Sequence, residues 1–265
     1  MSTDKFSTLK SLLISYKKVA VAYSGGVDSS LLVKLCADTL GPANVIAITG
    51  VSQTYTEDEK KIAQQITGKL GVELVLLQTD ELSSDSFASN PTNRCYHCKK
   101  ELYGRLVEIA KGKGATYILD GTNADDLGDY RPGRKAADEF GVVSPFVIAG
   151  ITKSDIRDLS RTLDLPAWDK PANPCLASRV PYGTRITESI LRQIEAGERV
   201  LKNLGIKNVR LRHHDMVARI EVSPQDFGVI LDDKKRRYII DSIKKIGYKW
   251  VALDLEGYRT GSLNE

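Results

Sequence analysis

One stretch, Lys18–Ser30 (KVAVAYSGGVDSS), constrains the fold of this chain more than any other. Val19–Tyr23 is a short, β-rich apolar run and reads as a buried strand. Ser24-Gly25-Gly26 breaks it, and Leu31, Leu32, Leu35 and Cys36 then recur at helical spacing, so a helix follows. A strand, a glycine turn and a helix N-terminus form a concave nest of backbone N–H groups. The helix dipole adds positive potential, which suits a phosphate. No lysine follows the glycines, so this is not a Walker A loop. Ser24, Ser29 and Ser30 can add hydroxyl donors. Asp28 has two readings: a first-turn acid favoured by the dipole, or a ligand that holds Mg²⁺ against the phosphates.

As it stands, SGGVDS resembles the PP-loop of the ATP pyrophosphatases. That resemblance implies that Ser24, Gly25, Gly26, Val27, Asp28 and Ser29 bind the β- and γ-phosphates of ATP. ATP would be cut between α and β, leaving AMP on a substrate oxygen while pyrophosphate departs. The plainer reading is an ordinary glycine turn between strand and helix.

A chain of 265 residues, 42% hydrophobic and 27% charged, suits one large or two modest globular domains. Its net charge of +4 is too small to demand nucleic acid but suits an anionic substrate. The start, MSTDKFSTLKSLLISYKK, lacks the apolar core of a signal peptide, and no run approaches a transmembrane length. The expectation is a cytoplasmic protein with no membrane partner. Four cysteines in such a chain point to ligands or catalysts rather than disulfides.

Along the chain, residues 6–17 read as a short amphipathic helix, 31–40 as a helix stopped by Gly41-Pro42, and 45–50 as a second strand. A helix over 54–70, a strand over 72–78, a helix after Cys98 and a strand over 116–119 continue the alternation. A fifth strand is expected over 142–147 and a helix over 152–163, with Thr152 and Asp155 as a capping-box-like start. This alternation predicts an α/β fold with a doubly wound, mostly parallel sheet, whose ligands sit at the carboxyl ends of the strands. The acid-rich loop Asp120-Gly121-Thr122-Asn123-Ala124-Asp125-Asp126 should then face the same crevice as the phosphate loop.

Pro166, Pro171, Pro174 and Pro181 mark a stiff connection. The expected division is a first domain over 1–165, a connection over 166–184 carrying Cys175, and a small α+β module over 185–265. That module reads as helix (187–204), strand (208–211), strand (218–222), helix (224–246) and strand (249–255). The run Lys234–Arg237 circles a helix and reads as a solvated surface, and His213-His214 point opposite ways along a strand.

Cys95 and Cys98 form a CxxC near a helix N-terminus, a position that lowers thiol pKa, and Cys175 stands in the proline-rich connection. Three loop cysteines can hold three corners of a [4Fe–4S] cluster and leave the fourth iron open. A zinc site, which wants four protein ligands, redox thiols, and cysteines with no joint role are the alternatives. Cys36, on an apolar helix face, reads as an inert buried thiol.

The segment 169–183 (DKPANPCLASRVPYG) resembles a segment of the LarE family, as do Asp129–Gly133, Val209–His213 and Ala218–Glu221. The resemblance runs from about Leu9 to the end of the chain. It implies a PP-loop, adenine nucleotide alpha hydrolase-like domain and a sulfur transferase of nickel-pincer nucleotide biosynthesis, which serves lactate racemase maturation. The implied substrate is pyridinium-3,5-biscarboxylic acid mononucleotide. ATP would adenylate one ring carboxylate and a sulfur nucleophile would displace AMP, giving a thiocarboxylate. In one branch of that family a single cysteine, matched by Cys175, is sacrificed as the sulfur donor. In another, three cysteines hold a [4Fe–4S] cluster, and Cys95, Cys98 and Cys175 fit this branch.

The resemblance assigns catalysis to Cys175, Asp28 and Ser29, and nucleotide binding to the loop with Gly121 and Thr122. Mg²⁺ falls to Asp28, with Asp125 or Asp126 second. Arg210 and Arg212 share one strand face and suit the substrate phosphate, with Ser178 beside them and Arg179 as a neighbour. Spacing alone also permits a solvated strand face. Glu198 and Glu221 fall on family positions of interest, though such acids are most often surface or salt-bridging groups. A homo-oligomer is expected. The competing functions are a PP-loop tRNA 2-thiolation enzyme, which should need a larger basic surface, and a non-catalytic nucleotide-binding redox sensor.

Overall fold

The computed structural model describes residues 3–128, 132–166, 168 and 174–259. Asp129–Arg131 and most of the 169–183 segment's first half, Asp169–Asn173, lie outside the described residues. The chain divides into two compact units, Met1–Glu81 with Asn93–Asn173, and Leu82–Thr92 with Pro174–Glu265.

In the first unit, α1 (Thr3–Tyr16) leads into β1 (Val19–Ala22), α2 (Val27–Leu40), β2 (Val45–Val51), α3 (Glu57–Leu70) and β3 (Glu73–Gln78). The chain then passes through the short helix α4 (Asp85–Ala88) of the second unit. It returns as α5 (Arg94–Gly112), β4 (Tyr117–Leu119), α6 (Pro132–Glu139), α7 (Pro145–Ile148) and α8 (Lys153–Thr162). The four strands pair in parallel in the order β3-β2-β1-β4. Alternate residues feed the two faces. Val19, Val21, Val45 and Ala47 join Leu9, Leu13, Leu31, Leu32 and Ile156 in one core. Ala20, Ile46 and Ile48 join Tyr103, Leu106, Ala110 and Ala136 in the other. Helices on both faces explain why these strands are apolar throughout rather than alternating.

The expected fifth strand is absent. Val143 makes one parallel bridge to Leu119, and Ser144-Pro145 then opens α7. Proline has no N–H for a ladder and its φ suits a helix's first turn, so the extended run ends there. Thr56 and Glu59 form a capping box that starts α3 at Glu57, and Thr152 and Asp155 do the same for α8.

In the second unit, α9 (Glu188–Lys202) packs on β5 (Val209–His214), so closely that a Cβ on Gly197 would lie 2.2 Å from Leu211 Cδ1. β5 pairs antiparallel with β6 (Val217–Val222). The helix expected over 224–246 is broken into α10 (Phe227–Leu231) and α11 (Asp233–Ile246). Asp232 adopts an extended backbone between them and accepts a hydrogen bond from Lys235 N, capping α11. The chain closes with β7 (Trp250–Leu253), parallel to β6. Lys234–Arg237 are exposed on α11. Asn90 ties α4's segment to this unit by donating to the carbonyls of Val180, Pro181 and Thr184. No helix among the described residues is long and apolar enough to cross a membrane.

Candidate active site

The strand order makes β1 the switch point of the first sheet. β2 and β3 extend on one side and β4 lies on the other, so the carboxyl ends of β1 and β4 flank a crevice. The β1 loop is held from within. Ser24 N donates to Ser29 Oγ (3.2 Å), the two hydroxyls lie 3.1 Å apart, and Ser29 Oγ donates to the Gly26 carbonyl (3.2 Å). Gly25 sits at φ +75°, in the region that favours glycine. Gly26 precedes the first turn of α2 with no side-chain cap. An uncapped helix start behind a glycine turn leaves backbone donors for an anion.

The β4 loop closes against this nest. A Cβ on Gly121 would lie 2.8 Å from Ser29 N and 3.0 Å from Asp28 C, so only glycine fits. Asp120 fixes the loop by accepting from Thr122 N (3.1 Å), Thr122 Oγ1 (2.9 Å) and Ser144 Oγ (2.7 Å). Sequence reasoning places Asp28, Ser29, Gly121 and Thr122 in one crevice, and the structure brings their loops together. Asp125 is exposed and Asp126 half-buried, and both accept backbone hydrogen bonds. Asp125 accepts from Lys153 N (2.8 Å) and Asp126 from Asn123 N (3.0 Å).

Lys153 is a site residue that sequence reasoning missed. From the first turn of α8 its ammonium pairs with Asp28 Oδ2, so the lysine absent after the glycines arrives from 125 residues away. Nothing local in the sequence signals this contact. The other carboxylate oxygen, Asp28 Oδ1, is buried with no hydrogen-bond partner among the described residues. An orphaned carboxylate oxygen beside a phosphate nest fits a Mg²⁺ ligand.

In the second unit, Ser178 and Arg179 end a 3₁₀ turn (Leu176–Arg179) next to β5. Arg210 and Arg212 are only 5% exposed, which rules out the solvated strand face. Glu198 and Glu221 are buried as well, not surface acids. Arg179, fully buried, grips Glu198 through Nε (2.8 Å) and Nη2 (3.2 Å), and Glu198 Oε1 also accepts from Leu211 N. Arg212 grips Glu221 through Nε and Nη2, both at 2.9 Å, and its Nη1 donates to the Ser178 carbonyl (2.7 Å). Ser178 Oγ accepts from Arg179 (2.9 Å). Arg210 donates to Tyr258 Oη (3.4 Å), and burial, reinforced by neighbouring Arg179, lowers its pKa. Three buried guanidinium groups against two carboxylates leave this cluster positive, as an anion site requires.

Cys95 and Cys98 are the second and fifth residues of α5, not on a loop ahead of it, and a spacing of three puts them on one helix face. Cys95 is exposed, and Cys98 is half-buried with its thiol donating to Glu81 (3.6 Å). Cys175 is exposed in the second unit. Cys36 is buried in α2, and burial pushes its pKa up to about 12, so it is inert. Among the described residues no group of three or more His, Cys, Asp or Glu side chains is arranged to hold a metal ion.

A family model described as NAD synthase matches residues 8–101, the part that contains the nest. Over 264 residues the chain is 41% identical to an uncharacterised protein of Synechocystis sp., covering 100% of this chain and 98% of the relative. It is 37% identical over 263 residues to the pyridinium-3,5-bisthiocarboxylic acid mononucleotide synthase of Lactiplantibacillus plantarum, covering 98% of this chain and 94% of the synthase. The chain belongs to the LarE family. It is an ATP-dependent enzyme with the PP-loop α/β fold and a small C-terminal module. It is also 31% identical over 244 residues to an uncharacterised protein of Methanocaldococcus jannaschii, covering 92% of this chain and 92% of the relative.

Proposed function

We propose that this LarE-family enzyme is a sulfur transferase that converts the carboxylates of pyridinium-3,5-biscarboxylic acid mononucleotide to thiocarboxylates at the expense of ATP. The observation that carries this reading is the similarity to the synthase along 98% of the chain.

A carboxylate is a poor electrophile. Attack of its oxygen on the α-phosphorus of ATP forms an acyl adenylate and expels pyrophosphate; a sulfur nucleophile then adds to the acyl carbon and expels AMP. The nest around Ser24–Ser29 faces the departing pyrophosphate with backbone and hydroxyl donors. Asp28 Oδ1 would hold Mg²⁺, which offsets the charge on the phosphates. Gly121 and Thr122 form the opposite wall for the nucleotide. Ser178, Arg210 and Arg212 hold the phosphate of the substrate, with Glu198 and Glu221 fixing the arginine cluster.

Cys95, Cys98 and Cys175 would hold a [4Fe–4S] cluster, which when bound leaves one iron open to a non-protein sulfide. The donor set fits in kind: three thiols, none of them sealed in a core. Metal ligands need not be gathered before the metal binds. The domain boundaries near 165 and 185, and assembly as a homo-oligomer, belong to the same reading.

Iron, acid-labile sulfide and zinc content of the anaerobically prepared protein, beside Cys175→Ala, tests the cysteine assignment. About four irons per chain, lost in the variant, support it. Zinc would make the cysteines structural. No metal at all would return Cys175 to the role of a sacrificed donor.

A further inference from the structure

Among the described residues, a short set of buried side-chain polar atoms lacks a hydrogen-bond partner, and two of them stand at the phosphate nest. One is Asp28 Oδ1, an acceptor, already read as a Mg²⁺ ligand. The other is the hydroxyl of Tyr55, a donor. Tyr55 lies on the loop between β2 and α3, and its Oη would be 3.7 Å from a Cβ placed on Gly25. Gly25 is the φ +75° residue at the centre of the nest. A buried hydroxyl with no partner costs stability, so a structure that retains one beside a ligand site is suited to giving it a partner there.

We propose that the Tyr55 hydroxyl is a further nucleotide-binding residue, donating a hydrogen bond to a terminal phosphate oxygen of ATP and then to the departing pyrophosphate. This rests on the reading of the Ser24–Ser29 loop as the ATP site. The two orphaned atoms are complementary: an acceptor for the cation and a donor for the anion of one Mg²⁺–nucleotide complex. The hydroxyl acts as a neutral donor. Burial, with Glu59 and Tyr23 nearby, pushes its pKa well above the usual range, so it keeps its proton. The loop that carries it is positioned by Thr56, whose side chain and backbone N–H both donate to Glu59 Oε2 at 2.8 Å and 3.0 Å.

The test is Tyr55→Phe in the full chain, with Mg²⁺–ATP binding followed by calorimetry, pyrophosphate release by a coupled assay, and thermal melting without nucleotide. A lost hydrogen bond to a charged phosphate should weaken ATP binding about 10- to 100-fold. The nucleotide-free melting temperature should hold or rise, because the variant removes an unsatisfied group. A merely structural tyrosine would show the reverse pattern, with a lowered melting temperature and unchanged affinity, and that result overturns the proposal. Wild-type protein that binds Mg²⁺–ATP while Tyr55→Phe binds it equally well overturns the role of Tyr55 alone. Wild-type protein that binds no Mg²⁺–ATP overturns the ATP site itself, and the proposal with it.

Discussion

Gly121 and Ser29 come from different loops, yet a single methyl group could not be placed between them: the nearest approach of a Cβ on Gly121 is 2.8 Å to the Ser29 nitrogen. The obstacle is backbone, which cannot swing aside, so an added side chain must move the β4 loop or the start of α2. Gly121→Ala should therefore lower pyrophosphate release by roughly 100-fold, the scale of an ångström-sized misplacement in a positioned site. Gly68→Ala on α3, where nothing lies within 4 Å, should leave activity unchanged. Initial rates of pyrophosphate release compare the two.

The pairing of Asp28 with Lys153 separates stability from function. Both side chains are partly exposed, so the ion pair contributes about 1 kcal/mol or less to stability. Asp28→Asn keeps the size of the side chain but removes its charge, and with it the carboxylate proposed above to hold Mg²⁺. Urea unfolding should change little, whereas pyrophosphate release should collapse and additional Mg²⁺ should not restore it. A large loss of stability with activity retained would show that Asp28 is architectural.

The buried pair Arg179–Glu198 behaves differently. Removing one member strands a charge away from water. Glu198→Ala should cost about 3–5 kcal/mol in urea unfolding of the full chain, provided the transition stays two-state. A cost below about 1 kcal/mol, the range of exposed pairs, would contradict the burial seen at this position.

His213 gives the second unit a pH dependence. Its ring is buried, its Nδ1 lies 3.1 Å from Tyr248 Oη, and burial lowers its pKa, as it does for His214. The unfolded chain then binds protons that the folded chain refuses. Stability contributed by neutral His213 is present above its unfolded pKa near 6.5 and is lost as pH falls through that value toward the lower folded pKa. Melting temperature should drop between about pH 7 and pH 5, and His213→Gln should flatten part of that slope. An unchanged slope in the variant would exclude His213 as its source.

Much of this was legible in the chain because it is local. The glycine turn after Val19–Tyr23, the capping residues Thr56 and Thr152, and the apolar strands each depend on neighbours a few residues away. The misreadings lie where local signals compete. Val142–Val147 is apolar, but Pro145 redirects it into a helix. The long helical pattern after Pro224 is cut by Asp232, whose side chain caps a new helix. Contacts across the sequence left no trace to read: Lys153 reaches Asp28, Glu221 neutralises Arg212, and the Tyr55 hydroxyl stands over Gly25. Alternating arginines on a strand look alike whether they face water or a buried carboxylate, and only the fold decides.

The most direct test of sulfur transfer is an anaerobic incubation of the purified protein with Mg²⁺–ATP and pyridinium-3,5-biscarboxylic acid mononucleotide, with the nucleotide product followed by mass spectrometry beside AMP and pyrophosphate. Stepwise replacement of carboxylate oxygen by sulfur, with AMP and pyrophosphate formed together, is the expected result. Release of AMP and pyrophosphate with no sulfur in the product, or no ATP cleavage with this substrate, would contradict the account.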